Sequence, residues 1–443
     1  MNFDQALAYL LRLGHETLTI KFGLENTKGL LEALNRPDLA YPKVQIAGTN
    51  GKGSTAVMLD AMCRAAGINT GLYTSPHLVK ITERVRIGGR EVSDEEFARL
   101  TTQISETARR LQTAGVLEEL PTFFEHMTAI ALCAFRDHKV GLGILETGLG
   151  GRLDSTTAAG AEIVAVTSIG LDHQEYLGET IEEIAAEKAA VIRPGVAAVI
   201  APQSPSALAV ILRRCTECSV QPILVGEQIQ VSDSERSDRR CVTFKSGLDT
   251  YENVCLNLPG RHQLINASVA IATVEVLNSR GFDISHDAII KGLETAEHPG
   301  RLEWQNGTPS FLFDGAHNSD GAVALRSYLN EFVDKPISLV FGAMRDKDLS
   351  SMASALFPVA THIYLTEIDN PRSASREMLA EVARQEIAAG HATICVNSIA
   401  ALRAASEHAS PDGLICVTGS LYLIGEVQAM LKHQEHEALL ENG

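Results

Sequence analysis

The stretch VQIAGTNGKGST, residues 44–55, decides the fold of this 443-residue chain. Its first five residues form an apolar run typical of a buried strand, and the amphipathic stretch beyond its glycines predicts a helix over residues 54–66. In such a strand-loop-helix unit, glycines let backbone N–H groups point at phosphate oxygens, and the helix N-terminus favours negative charge. We therefore expect a phosphate-binding loop over residues 47–55.

The loop departs from the common pattern GxxxxGK[ST] at two positions. Ile46 stands where the pattern has glycine, and Gly53 intrudes between Lys52 and the first hydroxyl residue. The alternative is an ordinary glycine turn, which the flanking strand and helix disfavour. Lys52 supplies a mobile cation, and the predicted nucleotide contacts of the loop are Thr49, Asn50, Gly51, Lys52, Gly53, Ser54 and Thr55.

From residue 43 onward, short apolar runs alternate with longer amphipathic stretches, the pattern of β-α units around a largely parallel sheet. Residues 223–258 instead are rich in valine, threonine and turn residues, which indicates a small β-rich part with an exposed polar loop over residues 232–240. The predicted elements are strands 44–48, 70–75, 140–146 and 163–169, helices 123–138 and 264–280, and helix starts at the capping boxes Ser93–Glu96 and Thr180–Glu183.

The segment EHPGR, residues 297–301, carries proline and glycine and marks the expected domain boundary. A chain of this length exceeds the size of most single cores, so we expect two domains, 1–297 and 298–443, with a substrate cleft between them. Beyond the boundary the strand-helix alternation restarts. The expected fold class is α/β, with a phosphate-binding-loop-type, mostly parallel sheet domain followed by a smaller Rossmann-like domain.

Composition and charge exclude several classes of protein. Hydrophobic residues make up 45% and charged residues 21%, as in ordinary globular enzymes. The net charge of −17 opposes binding to nucleic acid or to anionic membranes. No apolar run reaches the roughly 20 residues that span a bilayer, and the N-terminus lacks the apolar core of a signal peptide, so we expect a cytosolic protein.

The eight cysteines, spread along the whole chain, predict reduced thiols rather than a disulfide framework. Cys215 and Cys218 form a CxxC pair. A zinc site there would need two further ligands, for which Cys241 and Cys255 are candidates only by coincidence.

Eight ordered motifs lie between residues 20 and 426. They are TNGKGST (49–55), ETGLGGRLDSTT (146–157), LDHQEYLG (171–178), EKAAVI (187–192), RHQLINA (261–267), PGRLE (299–303), FDGAHNSDG (313–321) and TGSLYLIGE (418–426). Together they resemble folylpolyglutamate synthase and dihydrofolate synthase, members of the Mur ligase superfamily. The resemblance implies an ATP- and magnesium-dependent ligase that joins L-glutamate to a folate-type carboxylate through an acyl phosphate.

The resemblance also implies a metal site. Glu146 ends an apolar strand beside a glycine-rich turn, where a carboxylate reaches a nucleotide-bound magnesium from a rigid support. His173 matches the second protein ligand of the family, although a lone histidine more often satisfies a local hydrogen bond. Ser54 and Ser75 are the expected oxygen ligands.

Lys188 lies in a predicted helix and has two interpretations. It is either a lysine paired with neighbouring glutamates or, as the resemblance implies, a catalytic residue that is often carbamylated in the superfamily and then supports a second magnesium. The family also assigns ATP contacts to Asn266, which can read the adenine edge, and to Arg301, which can meet the γ-phosphate.

The second domain supplies the remaining predicted contacts. Asp314 and His317 follow a strand at the edge where open α/β sheets bind ligands, and they resemble residues that hold the ribose and the incoming glutamate, with His317 a candidate catalytic residue. Ser420 precedes an apparent helix whose N-terminus suits the glutamate carboxylate. Arg84 is a candidate partner for a substrate carboxylate.

Near the N-terminus, residues 21–34 either match a region that holds the pterin part of dihydropteroate in bifunctional relatives or form a plain helix with a glycine-containing lead-in. The sequence leaves open whether dihydropteroate, reduced folates or both are substrates. We expect a monomer.

Three other functions compete with this ligase. A peptidoglycan-type Mur ligase needs an N-terminal UDP-binding domain, for which about 40 residues leave no room. A P-loop kinase or nucleotide switch would release no phosphate in response to glutamate. A non-catalytic protein would have no use for an intact set of metal ligands.

Overall fold

The computed structural model describes residues 1–14, 23–233 and 241–441, and its side chains as far as residue 432. In this part of the chain the first sheet has eight strands. They are β1 (Lys43–Ala47), β2 (Thr70–Tyr73), β3 (Val85–Ile87), β4 (Arg90–Glu91), β5 (Leu142–Glu146), β6 (Ile163–Val166), β7 (Ala197–Ile200) and β8 (Pro222–Leu224).

The order of this sheet, β4-β3-β2-β5-β1-β6-β7-β8, puts the phosphate-loop strand β1 between β5 and β6. All neighbours pair in parallel except β3 and β4, which form an antiparallel edge. Ile46 of β1 pairs with Glu146 of β5, and Ala47 pairs with Val166 of β6. Parallel pairing in this register brings the carboxyl ends of three strands to one edge, where ligands bind in open α/β sheets.

Helices cover both faces of the sheet, as all-buried strands such as β1 and β5 require. Helices α3, α10 and α11 pack on one face, and α1, α2, α4 and α5 form a second cluster. The helices of this lobe are α1 (Phe3–Arg12), α2 (Glu25–Ala33), α3 (Lys52–Ala65), α4 (Asp94–Thr113), α5 (Phe123–Asp137), α6 (Gln174–Leu177), α7 (Ile181–Ala189), α8 (Pro205–Glu217), α9 (Val225–Gln228), α10 (Arg261–Ser279) and α11 (His286–Thr295).

The β-rich part predicted for residues 223–258 is confirmed as a three-stranded antiparallel sheet, β9 (Gln230–Asp233), β10 (Val242–Lys245) and β11 (Thr250–Val254). Most of the predicted polar loop over residues 232–240 lies outside the described residues. The prediction of reduced thiols is wrong for one pair, because Cys241, just before β10, and Cys255, just after β11, form a disulfide. Antiparallel pairing brings these two residues side by side, a proximity that their spacing of 14 residues does not reveal.

The second lobe is a six-stranded sheet in the order β12-β13-β17-β14-β15-β16, parallel except for β12. Its strands are β12 (Glu303–Gln305), β13 (Ser310–Asp314), β14 (Ile337–Phe341), β15 (His362–Thr366), β16 (Ala392–Cys395) and β17 (Leu414–Thr418). Its helices are α12 (Ser319–Phe332), α13 (Leu349–Leu356), α14 (Arg376–Val382), α15 (Arg384–Ala388), α16 (Ser398–His408) and α17 (Leu421–Glu441).

The predicted fold class, a large mostly parallel α/β domain followed by a smaller one, is confirmed. The capping box Thr180–Glu183 is complete, because each side chain accepts a hydrogen bond from the backbone N–H of the other residue. At Ser93 only the serine side chain caps the helix. The predicted boundary at residue 297 falls between α11 and β12 and remains a proposal. Among the described residues, none of the helices combines the length and apolar character needed to cross a membrane.

Candidate active site

A cavity of about 410 Å³ lies between the two lobes, at the carboxyl ends of both parallel sheets. Every predicted site residue lines it except Thr55 and Arg84. The loops after β1, β5 and β6 form one wall, and those after β13, β14 and β17 form the other. Two stretches of chain that are far apart in sequence therefore face one common space.

The phosphate loop begins directly after β1 and turns into α3 at Gly51, whose φ of 87° lies in the left-handed region. A Cβ atom at Gly51 would lie 2.1 Å from Oδ1 of Asn266, so glycine is required here both by the backbone and by the packing of α10. The Lys52 ammonium donates to the carbonyl oxygens of Gly48 and Thr49, each at 3.0 Å. Burial lowers the pKa of Lys52, and the Glu146 carboxylate opposes this.

Glu146, at the end of β5, is a buried carboxylate that accepts a hydrogen bond from the backbone N–H of Ser75 at 3.0 Å. Burial raises its pKa, and the charge of Lys52 opposes this effect. Burying a carboxylate charge costs free energy unless a positive charge lies beside it, and a divalent cation would offset that cost.

His173 has the chemistry of a second ligand for such a cation. Its imidazole is mostly buried, and its Nδ1 atom is buried with no hydrogen-bond partner among the described residues. Burial lowers the pKa of His173 to about 3, so the ring is neutral and can donate a lone pair to a metal. No group of three His, Cys, Asp or Glu side chains in the described ranges forms a metal cage. Magnesium commonly has only one or two such protein ligands and takes the rest from phosphates, hydroxyls and water.

Lys188 is buried and points to the phosphate loop, which disagrees with the interpretation as a lysine paired with neighbouring glutamates. Its ammonium donates to the carbonyl oxygen of Gly48 at 2.9 Å. Burial, aided by the nearby Lys52 charge, lowers its pKa to about 7. A substantial fraction of Lys188 is therefore an uncharged amine at neutral pH.

The second lobe contributes a half-buried arginine and a buried aspartate. Arg301 donates to the carbonyl oxygen of Gly315 at 3.1 Å, and Asp314 accepts from the backbone N–H groups of Leu302 and Ala316 at 2.9 and 3.0 Å. Burial raises the pKa of Asp314, and the Arg301 charge opposes this. Ser420, nearly fully buried, lies two residues after β17 and also lines the cavity.

Asp172 joins the two lobes, a role that its place in the motif LDH does not reveal. Its carboxylate accepts from the ammonium of Lys347 and, at 3.2 Å, from the side-chain amide of Asn318, and it lies 3.5 Å from Nε2 of His317. Burial alone would raise the pKa of Asp172, but the hydrogen bond of His317 and the surrounding positive charges hold it well below its usual value. Asn318 also donates to Oδ1 of Asn50 in the phosphate loop at 3.0 Å.

Two predicted residues lie apart from the cavity. The Arg84 guanidinium is buried, donates to Nδ1 of His77 at 2.8 Å and lies over the ring of Phe123. The Thr55 hydroxyl is buried behind the loop and has no hydrogen-bond partner in the described part of the chain. Their roles in substrate and nucleotide binding remain predictions.

Two further side chains, Gln263 and His298, contact Ser54. Gln263 Nε2 donates to Ser54 Oγ at 3.2 Å, and His298 Nδ1 lies 3.3 Å from the same oxygen. The sequence offered a signal for each, since Gln263 belongs to the motif RHQLINA and His298 to EHPGR. Neither motif indicates that these residues contact the phosphate loop.

Comparison with known families and structures identifies this arrangement. Residues 46–274 match the Mur ligase middle domain, and residues 300–421 match the Mur ligase glutamate ligase domain. The chain is 35% identical over 421 residues to dihydrofolate synthase/folylpolyglutamate synthase of Bacillus subtilis, and the match covers 93% of this chain and 96% of that protein.

Solved structures of similar proteins have the same fold. The Escherichia coli enzyme in complex with DHPP and ADP superposes with a TM-score of 0.86, at 30% identity, and the match covers 98% of this chain and 99% of that one. The bifunctional folylpolyglutamate synthase/dihydrofolate synthase of Yersinia pestis, complexed with AMPPNP and a manganese ion, superposes with a TM-score of 0.84, at 32% identity and 98% coverage of both chains. The chain therefore belongs to the dihydrofolate synthase/folylpolyglutamate synthase family of ATP-dependent Mur ligases.

Proposed function

We propose that this chain joins L-glutamate both to dihydropteroate and to tetrahydrofolate, with ATP as the energy source and an acyl phosphate as the intermediate. The observation that carries the proposal is the single cavity that holds Lys52, Glu146 and His173 from one lobe together with Arg301 and His317 from the other. Relatives of this family are named for both activities.

In this reaction the substrate carboxylate attacks the γ-phosphorus of ATP, and the glutamate amine then displaces phosphate from the acyl phosphate. Lys52 and Arg301 stabilise the charge of the transferred phosphoryl group, and closure of the two lobes would keep water from the acyl phosphate. Ser54, Glu146 and His173, with Ser75 nearby, would hold a magnesium ion, which when bound would neutralise phosphate charge. Asn266 and Asp314 orient the nucleotide, and His317 and Ser420 orient the glutamate.

The N-terminal segment supports binding of the pterin part. Gly23 lines the cavity, and so does Glu125, whose Oε1 accepts from the Thr27 hydroxyl of α2 at 3.0 Å. Residues 21 and 22 of the predicted segment lie outside the described residues. The Arg84 side chain, close enough for its charge to lower the pKa of Glu146, is retained as a candidate for a substrate carboxylate.

Phosphate release measured with each substrate tests this function. With ATP and magnesium present, we expect release that requires both L-glutamate and either dihydropteroate or tetrahydrofolate. Aspartate in place of glutamate is the matched control and should give only background. Activity with one acceptor alone would restrict the chain to a single role, and release that ignores glutamate would favour a kinase or a nucleotide switch.

Lys188 is proposed to be carbamylated and to support a second magnesium. Its uncharged amine fraction at neutral pH is available to react with carbon dioxide, and the product is a carboxylate-like group. We expect Lys188→Ala to lower glutamate-dependent phosphate release by about 10²-fold, in the range found when one stabilising group is removed from an active site, with partial recovery in added acetate.

Isotope labelling provides a direct measurement. Wild-type protein in ¹³C-bicarbonate should show a carbamate resonance that Lys188→Ala lacks. Lys43→Ala is the matched control, because Lys43 is also buried but bonds carbonyl oxygens at the opposite end of β1. Equal acetate recovery in both variants, or a wild-type spectrum without the resonance, would contradict carbamylation.

A further inference from the structure

A chain of side-chain hydrogen bonds runs through Ser54 at the wall of the cavity. Asn266 Nδ2 donates to Gln263 Oε1 at 2.9 Å, Gln263 Nε2 donates to Ser54 Oγ at 3.2 Å, and Ser54 Oγ lies 3.3 Å from His298 Nδ1. Ser54 and Asn266 line the cavity, whereas His298 does not. The chain thus links a predicted adenine contact to a predicted metal ligand and ends on a residue that does not line the cavity.

The direction of these bonds determines where the serine proton goes. The Gln263 carbonyl accepts from Asn266, so its amide is the donor to Ser54. A serine hydroxyl has one proton and two lone pairs. In the His298 tautomer that leaves Nδ1 unprotonated, the ring accepts the serine proton. Gln263 then uses one serine lone pair, and the other remains for a further contact.

Gly53 gives independent support for the contact between His298 and Ser54. This glycine is the residue that departs from the common phosphate-loop pattern, and a Cβ atom there would lie 2.6 Å from Cε1 of His298. Its backbone is helical and needs no glycine for conformational reasons. The absence of a side chain at position 53 is therefore what lets the His298 ring reach Ser54.

We propose that His298 is a positioning residue that orients the Ser54 hydroxyl so that its remaining lone pair faces the divalent cation of the bound nucleotide. The inference rests on the proposed function, because it assumes that Ser54 is a metal ligand. Outer partners of this kind fix the orientation of a ligand, and their loss costs about 10- to 100-fold in metal affinity.

Two substitutions of similar polarity test the role. Asparagine places an amide where Nδ1 of histidine lies, whereas glutamine places it where Nε2 lies. With the full chain and AMPPNP, we expect His298→Gln to weaken Mn²⁺ binding by about 10- to 100-fold and His298→Asn to stay within about 3-fold of wild type. Free Mn²⁺ is measured by electron paramagnetic resonance, and AMPPNP binding in EDTA is measured by calorimetry and should be unchanged in both.

The outcomes separate this inference from the proposed function. Wild-type protein that binds no Mn²⁺ with AMPPNP would refute the metal site itself. Intact wild-type binding with equal affinities in the two variants, or weaker AMPPNP binding in EDTA, would refute the positioning role alone. If His298→Gln does not fold, His298→Ala removes the same contact to Ser54, and an unchanged Mn²⁺ affinity there would equally overturn the proposal.

Discussion

Replacing Lys52 by alanine is expected to lower glutamate-dependent phosphate release by at least about 10³-fold. The Lys52 ammonium is the cation of the phosphate loop, and alanine removes its stabilisation of charge on the transferred phosphoryl group, leaving Arg301 alone in that role. The loss should appear in kcat, because the charge develops in the transition state. Steady-state phosphate release with saturating ATP, folate and glutamate measures it.

Lys335→Ala serves as the control for Lys52→Ala. Lys335 is exposed on the second lobe, outside the cavity, so its loss should leave turnover unchanged. Because Lys52 also bonds the carbonyl oxygens of Gly48 and Thr49, the melting temperature of Lys52→Ala must be compared with that of wild type. A folded variant with normal turnover would refute the phosphate-binding assignment.

Replacing Asp172 by alanine is expected to lower kcat/KM by about 10²- to 10³-fold. This carboxylate is the shared acceptor for Lys347 and Asn318 of the second lobe. Its removal leaves the buried Lys347 ammonium with only the more distant carboxylate of Asp346, at 3.8 Å. Breaking a buried ion pair costs about 3–5 kcal/mol, and each 1.36 kcal/mol corresponds to a factor of ten. The substitution should destabilise the arrangement in which both lobes face one cavity. Steady-state kinetics with varied glutamate concentration measures the resulting loss in kcat/KM.

A double-substitution cycle gives the control for Asp172. Combining Asp172→Ala with Lys347→Met removes both charges, so the double variant should be less impaired than the sum of the two single effects. Asp172→Asn, which keeps an oxygen acceptor for Asn318, should be impaired less than Asp172→Ala. Strictly additive effects would show that the ion pair does not couple the lobes.

The sequence alone predicted the elements whose signals are local. The apolar run of β1, the glycines after it and the periodicity of α3 lie within about 20 residues, and backbone sterics and hydrophobic patterning act over that distance. The position of Glu146 in the site could also be predicted from the sequence, because Glu146 ends an apolar strand and parallel sheets bind ligands at their carboxyl edges. The α/β class and the order of the two lobes follow from the same alternation of strands and helices.

Tertiary structure decided the contacts between distant segments. His298 lies 244 positions from Ser54, and Lys347 lies 175 positions from Asp172, so no local pattern reports either pair. The disulfide between Cys241 and Cys255 depends in the same way on the pairing of β10 with β11. Periodicity specifies which face of an element is buried, but only the packing of whole sheets and helices determines which side chains meet across the cavity.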